Sequence, residues 1–178
     1  NRTNKVAMLI YNKKLSVSPI TTHLPLKEVH KHLTKKKIIN HVKLIKKFYQ
    51  KKFNKNPKIA ITGLNPHCES NYKSSEEDRI IKPAIKYLNK KKYKINGPFA
   101  ADTIFMKEQA KKYDVVIGMY HDQVLTPLKT LFGFNAINIT LGLPFIRISP
   151  DHGPNTSMLG KNLSNPKSLI EALNFLDK

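Results

Sequence analysis

The residues best suited to chemistry are three histidines, His23, His67 and His121, each of which follows a short apolar segment typical of a β-strand. In open α/β sheets, ligands bind beyond the carboxyl ends of the strands, so three strands can deliver these imidazoles to one place. Neutral imidazoles bind zinc and other divalent transition metals, and three protein ligands leave coordination positions free for substrate oxygen atoms. The alternative is that each is an ordinary hydrogen-bonded histidine, because the seven histidines form no H-x-x-x-H pattern.

Predicted strands and helices alternate along the segments that hold these histidines. Apolar or alternating runs predict strands at residues 6–11, 15–20, 59–62, 115–120, 137–141 and 145–148. Periodicity and capping signals predict helices at residues 34–53, 75–88, 103–113 and 166–176, with a turn at 96–98. This alternation indicates an α/β sandwich with strands of the parallel type. The sequence has no G-x-G-x-x-G, so any dinucleotide is bound without a Rossmann glycine turn.

The composition fits a single α/β unit over residues 1–178. A chain of this length, with 40% hydrophobic and 25% charged residues, is long enough for one well-packed domain. No stretch approaches the roughly 18 apolar residues that a membrane span needs, so we expect no membrane partner. The single cysteine, Cys68, cannot form an internal disulfide, so we expect a cytoplasmic location and assign the thiol no function.

The net charge of +20 raises an alternative of another class, a basic module that binds nucleic acid. Arginine, the residue best suited to bidentate phosphate and base contacts, occurs only at Arg2, Arg79 and Arg147, and lysine supplies the other 29 positive charges. The lysine runs fall on the expected solvated faces of the predicted helices. We therefore favour a small-molecule partner over nucleic acid, and the charge keeps the second class open.

Longer sequence motifs around the histidines carry a resemblance to a known family. They are, in chain order, Thr21-Thr22-His23-Leu24-Pro25-Leu26, Thr62-Gly63-Leu64-Asn65-Pro66-His67, Asn96-Gly97-Pro98 followed by Ala101-Asp102-Thr103, Met119-Tyr120-His121-Asp122-Gln123, and Asn138-Ile139-Thr140-Leu141-Gly142-Leu143-Pro144-Phe145-Ile146-Arg147 followed by Asp151-His152-Gly153. In this order the chain closely resembles the 4-hydroxythreonine-4-phosphate dehydrogenase family. The resemblance runs from near residue 6 to the end and covers about the C-terminal half of a family member.

The resemblance implies an isopropylmalate-dehydrogenase-like α/β/α fold and a homodimer with a metal site near its interface. His23, His67 and His121 match the family's ligands for a divalent metal, which is zinc, magnesium, manganese or cobalt. Residues 1–178 would then be the metal- and substrate-binding C-terminal half of a longer two-domain enzyme. We expect this half to fold by itself, and we expect it not to turn over substrate alone.

The resemblance also assigns roles to residues around the histidines. Lys129, Asn138 and Arg147 match the family's contacts to its phosphorylated substrate, and Lys129 and Asp102 are the candidate catalytic residues. Leu141, Gly142, Leu143 and Pro144 match the segment that contacts NAD, with NADP as the alternative cofactor. Taken singly, Lys129 is one lysine among 29, Asp102 fits the N-cap of the helix after it equally well, and the glycine loop fits a tight turn. His152 is left outside the metal shell.

The activity that the resemblance implies is the NAD-dependent oxidation of 4-phosphohydroxy-L-threonine at its 3-hydroxyl, followed by decarboxylation to 3-amino-2-oxopropyl phosphate. This is a step in the biosynthesis of pyridoxal phosphate. A sister dehydrogenase of 4-phospho-D-threonate or 4-phospho-D-erythronate is the closest alternative, because such enzymes share the metal ligands.

One segment departs from the family pattern. After the Asn-Pro-His motif the family has a glycine-rich run, whereas this chain continues with residues 68–75, which include no glycine. Side chains in place of glycines restrict positive φ and leave less room beside a ligand. No role is therefore carried over to this loop.

Overall fold

The computed structural model describes residues 6–68, 74–153 and 156–177. Within these residues, seven strands form one mixed sheet with the order β4-β3-β5-β2-β1-β6-β7. The strands are β1 (Ala7–Tyr11), β2 (Ser16–Pro19), β3 (Ile59–Thr62), β4 (Ile95–Phe99), β5 (Val115–Gly118), β6 (Ile137–Leu141) and β7 (Arg147–Pro150). Those from β4 to β2 are mutually parallel, and β1, β6 and β7 continue the sheet in antiparallel pairs. The sheet is thus mixed, which corrects the expectation of parallel-type strands throughout.

Helices cover both faces of this sheet. They are α1 (Val29–His32), α2 (Lys35–Phe53), α3 (Lys82–Lys90), α4 (Ala101–Ile104), α5 (Lys107–Ala110), α6 (His121–Phe132) and α7 (Lys167–Leu176). On one face, α2, α3 and α7 bury Ile45, Leu88 and Phe175 in a common core. On the other face, α4, α5 and α6 bury Ile104 and Val124 in a second core. Among the described residues, none of the helices combines the length and apolar character that crossing a membrane requires.

The longest helix, α2, follows directly from its sequence signals. Thr34 is the N-cap, and its side chain accepts a hydrogen bond from the Lys37 N–H at 3.2 Å. The apolar stripe predicted from the helical spacing is buried against the sheet and consists of Ile38, Val42, Ile45 and Tyr49. Asn54 ends the helix with φ of 49°, a left-handed conformation that asparagine tolerates. The helix therefore begins and ends where the sequence predicts.

The Asn96-Gly97-Pro98 segment lies inside β4, so the predicted turn is wrong. β3 and β4 pair in parallel with a register shift between Ala60 and Thr62, and β4 takes up one extra residue there as a bulge. Gly97 has φ of 134°, and a Cβ at this position would lie 2.4 Å from the carbonyl oxygen of Ile61. Glycine is therefore required for the two strands to approach each other. Asparagine, glycine and proline often indicate a turn, but in this strand they form a bulge.

The single helix predicted for residues 103–113 is also wrong, because two short helices, α4 and α5, take its place. Met106 lies between them with an extended backbone, ψ of 138°. Ile104 and Phe105 just before it are both buried against the sheet, and branched and aromatic residues have lower helix propensity than the lysines and glutamines around them. In addition, Ala100 holds the N-cap of α4 and Asp102 lies in the first turn, so Asp102 is not the N-cap.

The strand predicted at residues 145–148 begins and ends two residues later, as β7. Its pairing with β6 places Arg147 opposite Thr140, so the ladder starts there. Phe145 and Ile146 lie before the strand and are exposed, which an apolar pattern alone does not reveal. β5 likewise ends at Gly118, two residues before the predicted end.

His41, in α2, makes the stability of the fold depend on pH. It is 4% exposed, its Nδ1 lies 3.2 Å from the carbonyl oxygen of Lys37, and burial lowers its pKa to about 4. The unfolded pKa is about 6.5, so between these values the unfolded chain binds a proton that the folded chain does not. We expect the free energy of unfolding to fall as the pH is lowered from 7 to 4.5, with a contribution from His41 of up to about 3 kcal/mol.

Urea unfolding at both pH values measures this contribution. His41→Gln carries a side chain that is neutral at either pH, so this variant should lose less stability between pH 7 and 4.5 than the unaltered protein does. Equal losses in the two proteins would show that His41 is not the group responsible.

Candidate functional site at the carboxyl edge of the sheet

The site residues are brought together by the edge of the sheet at which β2, β5 and β3 end, which we call the carboxyl edge. β2 pairs in parallel with β5, and β5 with β3, so His23, His121 and His67 follow three neighbouring strands. β4 is parallel to β3 and leads to Asp102 at the same edge. The antiparallel strands also contribute, because β6 ends and β7 begins at this edge, where Arg147 is the first residue of β7.

His23 and His121 form a close pair. Their ring centroids are 5.5 Å apart. The loops that carry them continue the pairing of β2 with β5, because the Thr21 hydroxyl donates to the Met119 carbonyl oxygen at 2.8 Å. Nδ1 of His121 lies 2.7 Å from a carboxylate oxygen of Asp122, so Nε2 is the ring nitrogen available to a metal. A carboxylate on the second ring nitrogen is the usual support of a metal-binding histidine.

His67 does not join this pair. Its side chain is exposed and its φ is 58°, a left-handed conformation that is uncommon for a residue with a side chain. Across residues 6–68, 74–153 and 156–177, no three histidine, cysteine, aspartate or glutamate side chains lie close enough to hold one metal ion. The three predicted ligands are therefore present as a pair and a separate residue at the next strand end.

A cavity of about 720 Å³ opens at the carboxyl edge and contains three of the predicted site residues, His23, Asn138 and Arg147. Lys31 and Lys37, from α1 and α2, also line it, with Lys31 paired to Glu28 at 3.0 Å. A wall that contains lysine and arginine suits an anionic ligand. A second cavity, of about 370 Å³, lies at the opposite edge, and the described residues around it include none of the predicted site residues.

Asn138 and Arg147 each have side-chain polar atoms that are not paired within the part of the chain that the structure describes. The Asn138 side-chain oxygen is buried and has no hydrogen-bond partner among the described residues, and such atoms are costly to leave unpaired. Arg147 donates from one guanidinium nitrogen to the Thr140 hydroxyl at 2.8 Å and is otherwise exposed. The guanidinium is thus held at the cavity with donors available for a carboxylate or a phosphate.

Lys129 does not line this cavity, because it is engaged by Asp151. Its Nζ donates to the Asp151 carbonyl oxygen at 2.6 Å and lies 3.2 Å from Oδ2 of the same residue. Asp151 is 6% exposed, and burial raises the pKa of its carboxyl although the Lys129 charge opposes this. Its N–H donates to the Ser168 hydroxyl at 2.8 Å, which fixes the segment.

Asp102 and the loop after β6 lie at the carboxyl edge without entering the cavity, whereas His152 follows the end of β7, at the opposite edge of the sheet. Asp102 is exposed in α4, and its charge acts on the buried Cys68, whose thiol pKa is raised mainly by burial. The loop formed by Leu141, Gly142, Leu143 and Pro144 follows β6, and Gly142 has φ of 92°. That conformation fits both a tight turn between strands and a close approach to a cofactor. His152 is exposed, with its ring 6.4 Å from Phe134.

Sequence reasoning missed two buried polar residues behind the histidine loops, Glu77 and Gln123. Glu77 is 1% exposed, and Oε1 accepts from the N–H groups of Leu64 at 2.7 Å and Asn65 at 2.9 Å. Glu77 and Ile81 are both buried in the short π-helix Glu77–Ile81 that precedes α3, and their four-residue spacing in the sequence was a usable signal. Gln123 lies within a quoted motif, and no periodicity distinguishes it from its neighbours.

Comparisons with known proteins consistently find one family. The family model described as pyridoxal phosphate biosynthetic protein PdxA matches residues 1–176 of the chain. The chain is 50% identical over 169 residues to the 4-hydroxythreonine-4-phosphate dehydrogenase of Sulfurihydrogenibium sp. (strain YO3AOP1), covering 94% of this chain and 52% of that protein. It is 40% identical over 176 residues to the enzyme of the same name from Aquifex aeolicus (strain VF5), covering 98% and 54%.

A solved structure shows the same fold. The crystal structure of 4-hydroxythreonine-4-phosphate dehydrogenase from Klebsiella pneumoniae superposes with a TM-score of 0.82 at 35% identity, covering 96% of this chain and 53% of that one. The chain spans about half the length of the curated relatives it matches.

Glu77 allows a test of how the loop before His67 is held. Burial raises the pKa of its carboxyl, but hydrogen bonds from Asn65 and Leu64 outweigh burial, and the pKa lies below its ordinary value. Glu77→Gln removes the charge and turns a donor toward the Asn65 amide, which donates to Oε2 at 2.9 Å. We expect the free energy of unfolding at pH 7 to fall by about 1.5–3 kcal/mol.

Urea unfolding measures the loss, with the exposed Glu108→Gln as the matched control, for which we expect a change within about 0.5 kcal/mol. A depressed carboxyl pKa stabilises the fold above the unfolded value and ceases to do so as the pH falls through the folded value. The difference in the free energy of unfolding between the unaltered protein and Glu77→Gln should therefore become smaller as the pH is lowered toward 3. A pH-independent difference would contradict this account.

Proposed function

This chain belongs to the family of pyridoxal phosphate biosynthetic proteins PdxA, and on that premise we propose that it is the metal- and substrate-binding half of a 4-hydroxythreonine-4-phosphate dehydrogenase. The observation that carries the proposal is the cavity at the carboxyl edge, where His23, Asn138 and Arg147 meet although they come from distant parts of the sequence. A metal-ligand candidate and two anion-binding candidates in one cavity suit a phosphorylated hydroxy acid.

The proposed reaction oxidises the 3-hydroxyl of 4-phosphohydroxy-L-threonine and then releases carbon dioxide, leaving 3-amino-2-oxopropyl phosphate. When bound, NAD or NADP supplies the hydride acceptor and a divalent metal supplies Lewis-acid polarisation of substrate oxygen atoms. The chain's own residues bind and orient the anionic groups. The loop from Leu141 to Pro144 is the proposed cofactor contact, and Asp102 is a candidate for proton transfer.

The proposed metal ligands are His23, His121 and His67. The first two fit a divalent metal by their chemistry and by their separation of 5.5 Å between ring centroids, and the Asp122 carboxylate supports His121. His67 is proposed as the third ligand because it follows the neighbouring strand. Zinc, magnesium, manganese and cobalt all remain candidates, since imidazole ligands accept several divalent ions.

The proposed substrate contacts are Arg147, Asn138 and Lys129. Asn138 lies opposite Ile10, whose side chain belongs to the core beneath α6, so its own side chain points to the same face of the sheet as that helix. Arg147 lies opposite Thr140 two residues further along β6, on the same face. Lys129 projects from α6 itself, and it must leave Asp151 to reach a ligand held by the other two.

The remaining proposals concern the whole protein. We propose an isopropylmalate-dehydrogenase-like enzyme of two domains that forms a homodimer with its metal site near the interface, and a cytoplasmic location stays a prediction. Because the chain spans about half the length of its curated relatives, we propose that it binds metal but does not turn over substrate alone.

Divalent-metal titration of this chain tests the ligand set. We expect one equivalent of metal to bind, and His23→Ala or His121→Ala to abolish binding because each removes half of the close pair. His67→Ala should weaken it, and His152→Ala, which alters an exposed histidine away from the cavity, should leave it unchanged. Equal affinity in the first two variants and the unaltered protein would overturn the assignment.

Steady-state kinetics test the anion contacts in a complete enzyme that contains this chain. Arg147→Lys keeps the charge but loses the planar pair of donors, so we expect KM for the phosphorylated substrate to rise about tenfold. The absorbance of the NADH that is formed measures the rate. Arg79→Lys alters an exposed arginine outside the cavity and should leave KM unchanged. Faster turnover of 4-phospho-D-threonate or 4-phospho-D-erythronate than of 4-phosphohydroxy-L-threonine would favour the sister activity.

A further inference from the structure

Gln123, two residues after His121, joins two of the histidine loops through a single buried side chain. Its Oε1 accepts from the Met119 N–H at 2.7 Å and from the Thr62 hydroxyl at 2.9 Å. Its Nε2 donates to the Gly63 carbonyl oxygen at 2.8 Å. Both the oxygen and the nitrogen of the amide thus have partners: the oxygen contacts the ends of both β5 and β3, and the nitrogen contacts the residue that follows β3.

These three contacts lie immediately before the proposed ligands. Met119 is two residues before His121, and Gly63 is four residues before His67. A bridge between Met119 and Gly63 therefore fixes how far apart the two loops begin. β5 and β3 are neighbours in the sheet, but their ladder pairs no residue beyond Ile61. Past that point the Gln123 side chain, rather than backbone hydrogen bonds, connects the two segments.

The first turn of α6 packs closely enough to place the amide. A Cβ on Gly118 would lie 2.4 Å from a methyl group of Val124 and 3.1 Å from Oε1 of Gln123. The absence of a side chain at Gly118 thus allows Gln123 to reach both loops. Gln123 is 9% exposed, so water is a poor substitute for these bonds.

Glu77 completes the support on the side of β3. It holds the N–H groups of Leu64 and Asn65, the two residues after the Gly63 carbonyl that Gln123 binds. The backbone from Thr62 to Asn65 is thereby fixed by two buried side chains. Of the segment that leads to His67, Pro66 and His67 itself remain to set where the imidazole points.

We infer that Gln123 is a positioning residue that sets the spacing between the His67 and His121 loops and thereby the affinity of the site for a divalent metal. The inference rests on the proposed function, since it takes these histidines as ligands. Gln123 touches neither metal nor substrate. Side chains that orient metal ligands typically change metal affinity by about 10–100-fold when they are replaced.

Titration of the chain with Co²⁺ tests this role. Calorimetry measures the affinity, and the visible absorption of the bound Co²⁺ reports its coordination. Gln123→Met keeps the length of the side chain and removes all three hydrogen bonds, so we expect Co²⁺ affinity to fall about 10–100-fold with a changed absorption band. Gln50→Met makes the same substitution at an exposed position near the end of α2 and should leave affinity and spectrum unchanged.

A second pair of variants covers the case in which Gln123→Met does not fold. Thr62→Val replaces the hydroxyl that donates to Oε1 by a methyl group and should weaken Co²⁺ binding less than Gln123→Met does. Thr62→Ser keeps the hydroxyl and should bind Co²⁺ with the affinity of the unaltered chain. Circular dichroism confirms that each variant is folded before titration.

The outcomes separate this inference from the proposed function. If the unaltered chain binds Co²⁺, His121→Ala abolishes binding, and both Gln123→Met and Thr62→Val bind with unchanged affinity and spectrum, Gln123 has no positioning role and the proposed ligands stand. If His121→Ala binds as the unaltered chain does, or the unaltered chain binds none, the proposed metal site fails and the inference falls with it.

Discussion

The parallel alignment of β2, β5 and β3 is the constraint on which the rest of the site depends. Parallel neighbours end at the same edge of a sheet, so any side chain placed just after each strand arrives at one location irrespective of its distance in sequence. His23 and His121 are separated by almost a hundred residues, yet their rings are 5.5 Å apart because their strands pair in register from Ser16 to Pro19. The antiparallel strands add Arg147 to the same edge, since two reversals of direction bring the end of β6 back to it and β7 begins there. Asn138, near the start of β6, lines the same cavity.

Buried polar side chains convert this coarse alignment into local geometry. Loops beyond the strand ends have backbone groups that no ladder satisfies, and unpaired buried groups are costly. Glu77 and Gln123 supply the missing partners and so determine the paths of the loops as well as their stability. In a chain of net charge +20, the Glu77 carboxylate is buried and binds backbone N–H groups, although many surface lysines could pair with it.

The sequence predicts the elements of this fold better than their boundaries or their contacts. Every strand except β4, together with the long helix α2, was predictable because burial imposes period 2 or 3.6 on apolar residues, and the positions of His23, His67 and His121 just past strand ends followed from that. β4 was not predictable, because Gly97 marks a bulge that depends on the partner strand, and the period carries no information about partners. For the same reason the sequence could not show that Lys129 is bound to Asp151, or that His67 stands apart from the other two histidines. The burial of His41 and of Glu77 could have been predicted from the sequence, since each is a polar residue within an apolar helical stripe.

If Lys129 is the substrate contact proposed above, its ion pair with Asp151 links ligand binding to proton binding. An anion that draws the ammonium group away leaves behind a carboxylate that is 6% exposed and whose pKa burial already raises. Without its counter-ion that carboxylate holds a proton more tightly, so occupation of the site by an anion and uptake of a proton from solvent favour each other. Binding heats measured in buffers of different ionisation enthalpy would then differ, and affinity for an anionic ligand would rise as the solution becomes more acidic. On this proposal, an ion pair that holds a lysine in place would also make ligand binding sensitive to pH.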